Sequence, residues 1–149
     1  MWVIYTAAAW AFLFAASSFY WAIGGTIGTS TLGDTITGLS KESWFITVLW
    51  LTGSLKLLAG ALVLLLAWPP KRHIMFKLVK ISVWAAGFVF TVYGGANLAV
   101  LGLMGIGILA TPEAMHSQAA FWHLMLWDPY WLLGGIMFLS VTWLSNQSS

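Results

Sequence analysis

The sequence contains very few charged residues. Only 7% of its 149 positions are Asp, Glu, Lys or Arg, whereas a soluble domain normally has about 25%. This scarcity excludes a water-soluble enzyme, and the hydrophobic content of 60% excludes a disordered chain. Eleven tryptophans and several apolar stretches of more than about 20 residues instead place the chain in a lipid bilayer.

Cysteine is absent altogether. The chain therefore cannot form a disulfide, ligate an iron–sulfur cluster, bind zinc through thiolates or use a thiol nucleophile. It also lacks a phosphate-binding glycine loop, a Gly-x-Ser-x-Gly elbow and a His-Glu-x-x-His motif. No cofactor is expected, and the common enzyme classes are disfavoured. Because the net charge is only +2, nucleic acid is not an expected partner either.

Four apolar segments predict an all-α, polytopic membrane protein with one four-helix transmembrane domain. They cover about residues 2–23, 44–68, 81–109 and 123–144, and each is long enough to cross a bilayer. Pro69 and Pro70 end the second segment, and Asp128 followed by Pro129 predicts a helix start or a bend in the fourth. The first segment could be a signal peptide, but no Lys or Arg precedes residue 41, so cleavage is not expected.

The distribution of charge predicts the orientation of these segments. Four of the six basic residues lie between the second and third segments, and positive residues in short loops stay on the cytoplasmic side. Both termini are therefore expected in the cytoplasm. The acidic residues fall on the outer side or in the outer half of the bilayer. The basic residues of the inner loop are Lys71, Arg72, Lys77 and Lys80, and the acidic residues are Asp34, Glu42, Glu113 and Asp128.

Small residues predict which helices associate, because close backbone approach holds helices together in lipid. The third segment has a small residue at every fourth position from residue 87 to residue 99. In the second segment Gly53, Lys56 and Gly60 share one face. We call these two small-residue faces the seams of the segments. Since a short connection joins the two segments, we expect their seams to pack against each other.

Lys56 is the strongest candidate for a functional residue. It lies twelve residues from either end of the second segment, near the bilayer midplane, where a charge costs about 2.5–3.5 kcal/mol. Asp128 is expected roughly 6 Å higher, within reach of the lysine stem, so an ion pair between them is expected. With four further residues they are expected to line a polar pocket in the outer half: Asn97, Tyr93, Tyr20 and Trp131. The alternative, that these polar groups only hold the helices together, stays open.

The histidines offer a weaker alternative. Glu113 and His116 form a single Glu-x-x-His, to which His123 and Asp128 could add ligands for one metal ion. An ordinary wet amphipathic segment explains these residues better. No metal is therefore expected.

Two short motifs echo each other along the chain. Both read Tyr-Trp-x-[Ile/Leu]-Gly-Gly, the first beginning at Tyr20 and the second at Tyr130. An aromatic belt combined with glycine packing explains the echo without duplication. With Trp127, Asp128 and Pro129 before the second copy, these motifs resemble an uncharacterised family of small bacterial four-helix membrane proteins, a domain of unknown function.

This resemblance implies the same architecture and a place in the bacterial inner (plasma) membrane. It implies no activity. Members of that family often have a histidine two residues before the first Tyr-Trp pair, where this chain has Ser18. The resemblance therefore implies no histidine-based role here.

Three functions agree with these features. The first is a protein that binds or transports a small amphipathic or anionic ligand through the outer pocket, with Lys56 attracting the charge. The second is an accessory or assembly subunit that contacts partner helices, in a homo-oligomer or with another membrane protein. The third is a small enzyme in which Lys56 or Asp128 performs acid–base chemistry on a lipid-like substrate. The first is favoured slightly over the second. An enzyme ranks last because no catalytic constellation accompanies the charge, and membrane lipids are expected partners in every case.

Overall fold

Four long helices form the structure, a computed structural model that describes residues 1–31, 38–39, 42–110 and 121–147. They are α1 (Trp2–Ala22), α2 (Ser43–Leu65), α3 (His73–Gly105) and α4 (Asp128–Gln147). A 3₁₀ turn covers Thr29–Thr31, and a π-helical segment, His123–Trp127, precedes α4. Within the described residues the chain forms no strand. Four helical spans, the last running through the π segment, are long and apolar enough to cross a membrane, which confirms an all-α, multi-pass membrane architecture.

The third and fourth spans differ in detail from the expected ones. The third span was expected from residue 81, but α3 begins at His73, so Lys77 and Lys80 lie on the helix. Lysine is a good helix former, and helix formation therefore continues into the basic stretch. At the fourth span, helical backbone runs from residue 121 through the π segment into α4. Asp128 thus does not lie at a free helix end, and its backbone N–H donates to the His123 carbonyl.

The first Tyr-Trp-x-[Ile/Leu]-Gly-Gly motif terminates a helix. The Gly24 N–H donates to the Trp21 carbonyl at 3.0 Å, and the Gly25 N–H donates to the Tyr20 carbonyl at 2.9 Å. These two bonds form a Schellman motif, which requires a left-handed residue after the last helical turn. Gly24 supplies it with a φ of 93°.

The helices associate in two antiparallel pairs that differ from the expected pairing. α1 packs along α2, α3 packs along α4, and α2 makes few contacts with α3. On α2, Gly53 lies against the ring of Phe19 and Gly60 lies against the ring of Phe12, both from α1. The expectation that the seams of α2 and α3 face each other was therefore wrong. Aromatic side chains of α1 fill the space beside the glycines of α2. This fit determines which helix pairs with α2, and the short connection to α3 does not.

The seam of α3 faces α4 and follows a different spacing from the expected one. Gly87, Thr91 and Gly94 make the close approach, and a side chain at Gly94 would meet the Leu132 backbone. Gly95, which the four-residue spacing had included, is in looser contact. Asn97 lies three residues after Gly94 and therefore projects from the same side of α3, where it contacts Asp128 of α4. The seam thus leads directly to a polar residue.

Aromatic rings fill the core where the pairs meet. The ring of Trp10 on α1 lies 5.2–6.1 Å, centroid to centroid, from four other rings: Phe14, Phe90, Tyr130 and Phe138. Gly134 lies directly against the Trp10 ring, and Gly135 lies against the Thr91 backbone. The second Tyr-Trp-x-[Ile/Leu]-Gly-Gly motif therefore serves helix packing, whereas the first ends a helix.

Candidate functional site

Lys56 is buried between helices with its charge in contact with aromatic rings. Its side chain is 6% exposed. The Nζ atom donates a hydrogen bond to Ser18 Oγ at 2.9 Å. It lies 3.6 Å from the ring centroid of Phe14 and 4.9 Å from that of Trp131. A desolvated ammonium over aromatic faces is stabilised by about 2 kcal/mol or more. Among the described residues the charge is therefore stabilised by a hydroxyl and two rings, without an anion.

Phe14 and Ser18 lie four residues apart on α1 and so project from the same face. Ser18 is buried, and its hydroxyl donates to the Phe14 carbonyl at 3.3 Å. A hydroxyl has one hydrogen and two lone pairs. Donating to the carbonyl leaves those lone pairs available to the ammonium. The face of α1 thus orients both groups that hold Lys56.

Asp128 is the second buried charged group, and its two oxygens differ. The side chain is 1% exposed. Oδ1 accepts a hydrogen bond from Asn97 Nδ2 at 3.3 Å and lies 3.6 Å from His123 Nδ1. Oδ2 is buried and has no hydrogen-bond partner among the described residues. A buried acceptor without a partner is costly, so Oδ2 is an unsatisfied hydrogen-bond acceptor inside the bundle.

Lys56 and Asp128, both within the described ranges, do not form the expected ion pair. The ammonium of Lys56 reaches α4 at Trp131, three residues beyond Asp128. That separation is about 4.5 Å along a helix axis. The prediction from helical rise that Lys56 and Asp128 lie at similar depths agrees with this separation. The lysine nevertheless contacts the ring of Trp131 and the hydroxyl of Ser18, not the carboxylate of Asp128.

Two more of the expected pocket residues join these groups. Asn97 binds Asp128, as described above. Tyr93 packs its ring on Trp131 with centroids 4.9 Å apart, and its side chain is 48% exposed. Trp131 therefore contacts Lys56 on one side and Tyr93 on another.

Tyr20 lies outside this group of contacts. Its hydroxyl accepts a hydrogen bond from the Ile27 N–H at 3.2 Å, and its ring covers Gly25. Two residues along a helix correspond to a rotation of about 200°, so Tyr20 projects away from the face that carries Ser18. It holds the loop after α1 and does not extend the polar cluster.

The same loop covers the end of the bundle near Asp128. Trp21 Nε1 donates to the Ile27 carbonyl at 2.9 Å, and the Trp21 ring lies 5.4 Å from that of Trp127. Trp127 Nε1 in turn donates to Thr31 Oγ1 at 3.1 Å. The residue before Asp128 is thereby tied to the loop after α1.

Sequence reasoning missed Ser18 and Phe14. The available signal was the small-residue face of α1, on which Ala7, Ala11 and Ala15 are buried. Ser18 continues that spacing, and a serine on a small-residue face points at a neighbouring helix.

The metal alternative rests mainly on residues outside the described ranges. Glu113 and His116 lie there. In the described part of the chain no three His, Cys, Asp or Glu side chains come together. His123 and Asp128 do adjoin, but two ligands do not make a metal centre.

A family model described as "Protein of unknown function (DUF3995)" matches residues 11–138. The chain belongs to this family. Membership of an uncharacterised family, expected from the Tyr-Trp and Trp-Asp-Pro motifs, is thus confirmed. The matched DUF3995 region includes Lys56 and Asp128 with all their contacts described above. Comparison with curated proteins and with solved structures gave no match.

Proposed function

We propose that this DUF3995 protein binds or transports a small amphipathic molecule in the outer half of the bilayer, and that Asp128 recognises it. The supporting observation is the buried Oδ2 atom, which has no hydrogen-bond partner in the described part of the chain. A ligand with an N–H or O–H donor would supply that partner and remove the cost of the unsatisfied acceptor.

The contacts of Lys56 indicate the charge of this ligand. Its ammonium already faces Ser18, Phe14 and Trp131, and the electron-rich faces of the two rings disfavour an anion beside it. The unsatisfied acceptor is instead a carboxylate oxygen. We therefore favour a neutral donor or a cationic amine over an anionic ligand.

The surroundings of Asp128 suit an amphipathic ligand. Trp131 follows Asp128 by three residues and Tyr93 precedes Asn97 by four, which is about one turn in each helix. Their rings contact each other and are apolar over most of their surface. Because Tyr93 is half exposed, a hydrophobic tail can lie along it in the lipid. His123, whose side chain is 34% exposed, also adjoins the carboxylate.

The proposal includes an orientation in the bacterial inner membrane, with both termini in the cytoplasm. Lys71, Arg72 and Lys77 lie at one end of the bundle, whereas Glu42 precedes α2 at the other. The chain contains no cysteine, so single cysteines can be introduced without background. In intact cells, an impermeant maleimide should label the Glu42→Cys variant and not the Lys71→Cys variant. Labelling of Lys71→Cys alone would reverse the orientation.

Ligand binding can be tested with a matched pair of probes on protein in lipid nanodiscs. Octylamine carries a cationic donor and octanoate carries an anion on a similar chain. We expect octylamine to raise the thermal unfolding temperature, with saturation at a fixed number of ligands per protein, and octanoate to have no saturable effect. Stabilisation of about 2.7 kcal/mol is expected at a ligand concentration of 100 times Kd.

The Asp128→Asn variant should lose this stabilisation, because the amide offers no open anionic acceptor. Glu42→Gln makes the same change of charge away from the cluster and should keep it. Equal stabilisation by octanoate, or retention of the octylamine effect in Asp128→Asn, would contradict the proposal.

A second candidate function, an accessory subunit of a membrane complex, is favoured by an apolar groove between α2 and α3. These helices leave a groove of about 280 Å³ lined by apolar side chains, including Leu58, Ala59, Ala85 and Val89. A helix of another protein could lie there. In this case neither probe would bind saturably, and Ala85→Trp would abolish a complex seen by size measurement in mild detergent.

A further inference from the structure

A cleft lies at the basic end of the bundle, between the start of α3 and the end of α4. Its volume is about 580 Å³, within the range of about 300–1,000 Å³ typical of small-molecule sites. α3 contributes residues spaced three or four apart, so a single helix face forms the wall. We call it the basic cleft, and its lining includes His73, Phe76, Lys77, Lys80, Trp84 and Thr142.

The polarity of the basic cleft changes along the axis of α3. Lys77 lies on the second turn and is exposed. Lys80 Nζ donates to the Ser145 carbonyl at 3.4 Å and lies 5.0 Å from the Phe76 ring. Trp84 follows Lys77 by seven residues, which is about 10 Å along the helix. The wall therefore passes from cationic to aromatic over about the distance that separates a lipid headgroup from the acyl chains.

The acidic side chains of the described residues lie away from the basic cleft. Between Glu42 and Glu113 the sequence has no acidic residue. The two acidic residues within the described ranges, Glu42 and Asp128, begin α2 and α4 at the opposite end of the bundle. An anion in the cleft therefore meets Lys77 on α3, and neither Glu42 nor Asp128 lies near it.

We propose that the basic cleft binds an anionic phospholipid, with Lys77 contacting the phosphate and Trp84 lying against the acyl chain. Lysine is a common phosphate ligand, and basic pockets between membrane helices on the cytoplasmic side bind anionic headgroups. Free phosphate fits less well, since the aromatic half of the cleft offers it nothing. This site is separate from Asp128 and does not depend on the ligand proposed there.

Lipid titration followed by native mass spectrometry tests this site on the full chain in a neutral detergent. The probes are phosphatidylglycerol, phosphatidylcholine with the same acyl chains, and inorganic phosphate. We expect phosphatidylglycerol to bind more tightly than phosphatidylcholine, and inorganic phosphate not to compete at millimolar concentration. Lys77→Gln should weaken phosphatidylglycerol binding about fivefold, the usual contribution of one lysine near a membrane surface.

Two variants control for net charge. Lys71→Gln removes the same charge from the preceding loop, outside the cleft lining, and should leave the affinity nearly unchanged. Lys77→Arg keeps the charge and should restore it. Equal weakening by Lys71→Gln and Lys77→Gln would show diffuse attraction and overturn the proposal. So would equal affinity for the two lipids, or full competition by inorganic phosphate, which would indicate a phosphate site instead.

Discussion

Lys56 and Asp128 are both buried charged residues, but their surroundings satisfy them to different degrees. The ammonium of Lys56 has a hydroxyl and two aromatic faces around it. The carboxylate of Asp128 has partners at Oδ1 and, among the described residues, none at Oδ2. Burial of a charge in a membrane helix is thus not enough to assign a ligand site. The group with an open hydrogen-bonding position is the better candidate.

The largest expected effect comes from reversing the charge of Lys56. In Lys56→Glu a carboxylate would face the Phe14 and Trp131 rings, whose faces are electron-rich and repel anions. An uncompensated buried charge typically costs about 3–5 kcal/mol. We expect a loss of that size in the free energy of unfolding, measured by denaturant titration in detergent micelles.

Lys56→Met is the control for this reversal. It keeps the length of the side chain and removes the charge, and well-packed apolar replacements of buried charges are often nearly neutral. Ser18 keeps its hydrogen bond to the Phe14 carbonyl in this variant. We expect a change of at most about 1 kcal/mol. If Lys56→Glu were as stable as Lys56→Met, the aromatic contacts would not be what holds the ammonium.

A smaller effect should follow from removing one aromatic face. Phe14→Leu retains an apolar side chain but loses the ring 3.6 Å from the ammonium. We expect a loss of about 2 kcal/mol in unfolding free energy, much of it from the cation–π contact. In a double-mutant cycle with Lys56→Met, the two residues should show a coupling energy of about 1–2 kcal/mol.

Phe88→Leu provides the same change of side chain away from any buried charge. Phe88 is about half exposed and stacks on Trp84. Its cycle with Lys56→Met should show no coupling. If the effects of Phe14→Leu and Lys56→Met on unfolding free energy were simply additive, the Phe14 ring would only fill space next to the lysine.

The positions of the helices could be predicted from the sequence, but which helices pack against each other could not. Apolar length alone identifies a membrane-spanning segment, and the four helical spans of the described residues overlap the four expected segments. Pairing depends on which side chains fit which notches. The glycines of α2 were recognised, but nothing in their spacing shows that Phe12 and Phe19 of α1 fill them. The shortness of the connection between α2 and α3 suggested the wrong partner.

The same reasoning explains how much of the site was predictable. Lys56 and Asp128 are conspicuous because charges are rare in membrane helices, and the helical rise gives their depth. The direction in which each side chain points depends on the rotation of its helix against the others. That rotation brought Ser18 and Trp131 to the lysine and left Asp128 with Asn97, and sequence spacing within one helix does not determine it.

The smallest expected effect is a gain of stability from Asp128→Asn. The amide oxygen can still accept from Asn97 Nδ2, so the bond at Oδ1 is kept. The substitution puts a neutral amide nitrogen where the charged Oδ2 is buried without a partner in the described residues. An unpaired buried polar group costs about 1–3 kcal/mol when it is neutral and more when it is charged.

Loss of the charge also weakens the contacts with Asn97 and His123, since charged hydrogen bonds are stronger than neutral ones. The Asn97 bond is long, at 3.3 Å, and His123 lies 3.6 Å away and is partly exposed, so this loss should be the smaller term. We therefore expect the unfolding free energy to rise by about 1 kcal/mol, whereas Glu42→Gln, at an exposed position before α2, should change it little. A fall in stability would mean that Asp128 mainly holds helices together. A rise in unfolding free energy together with loss of octylamine binding would show that Asp128 serves ligand binding at the expense of stability.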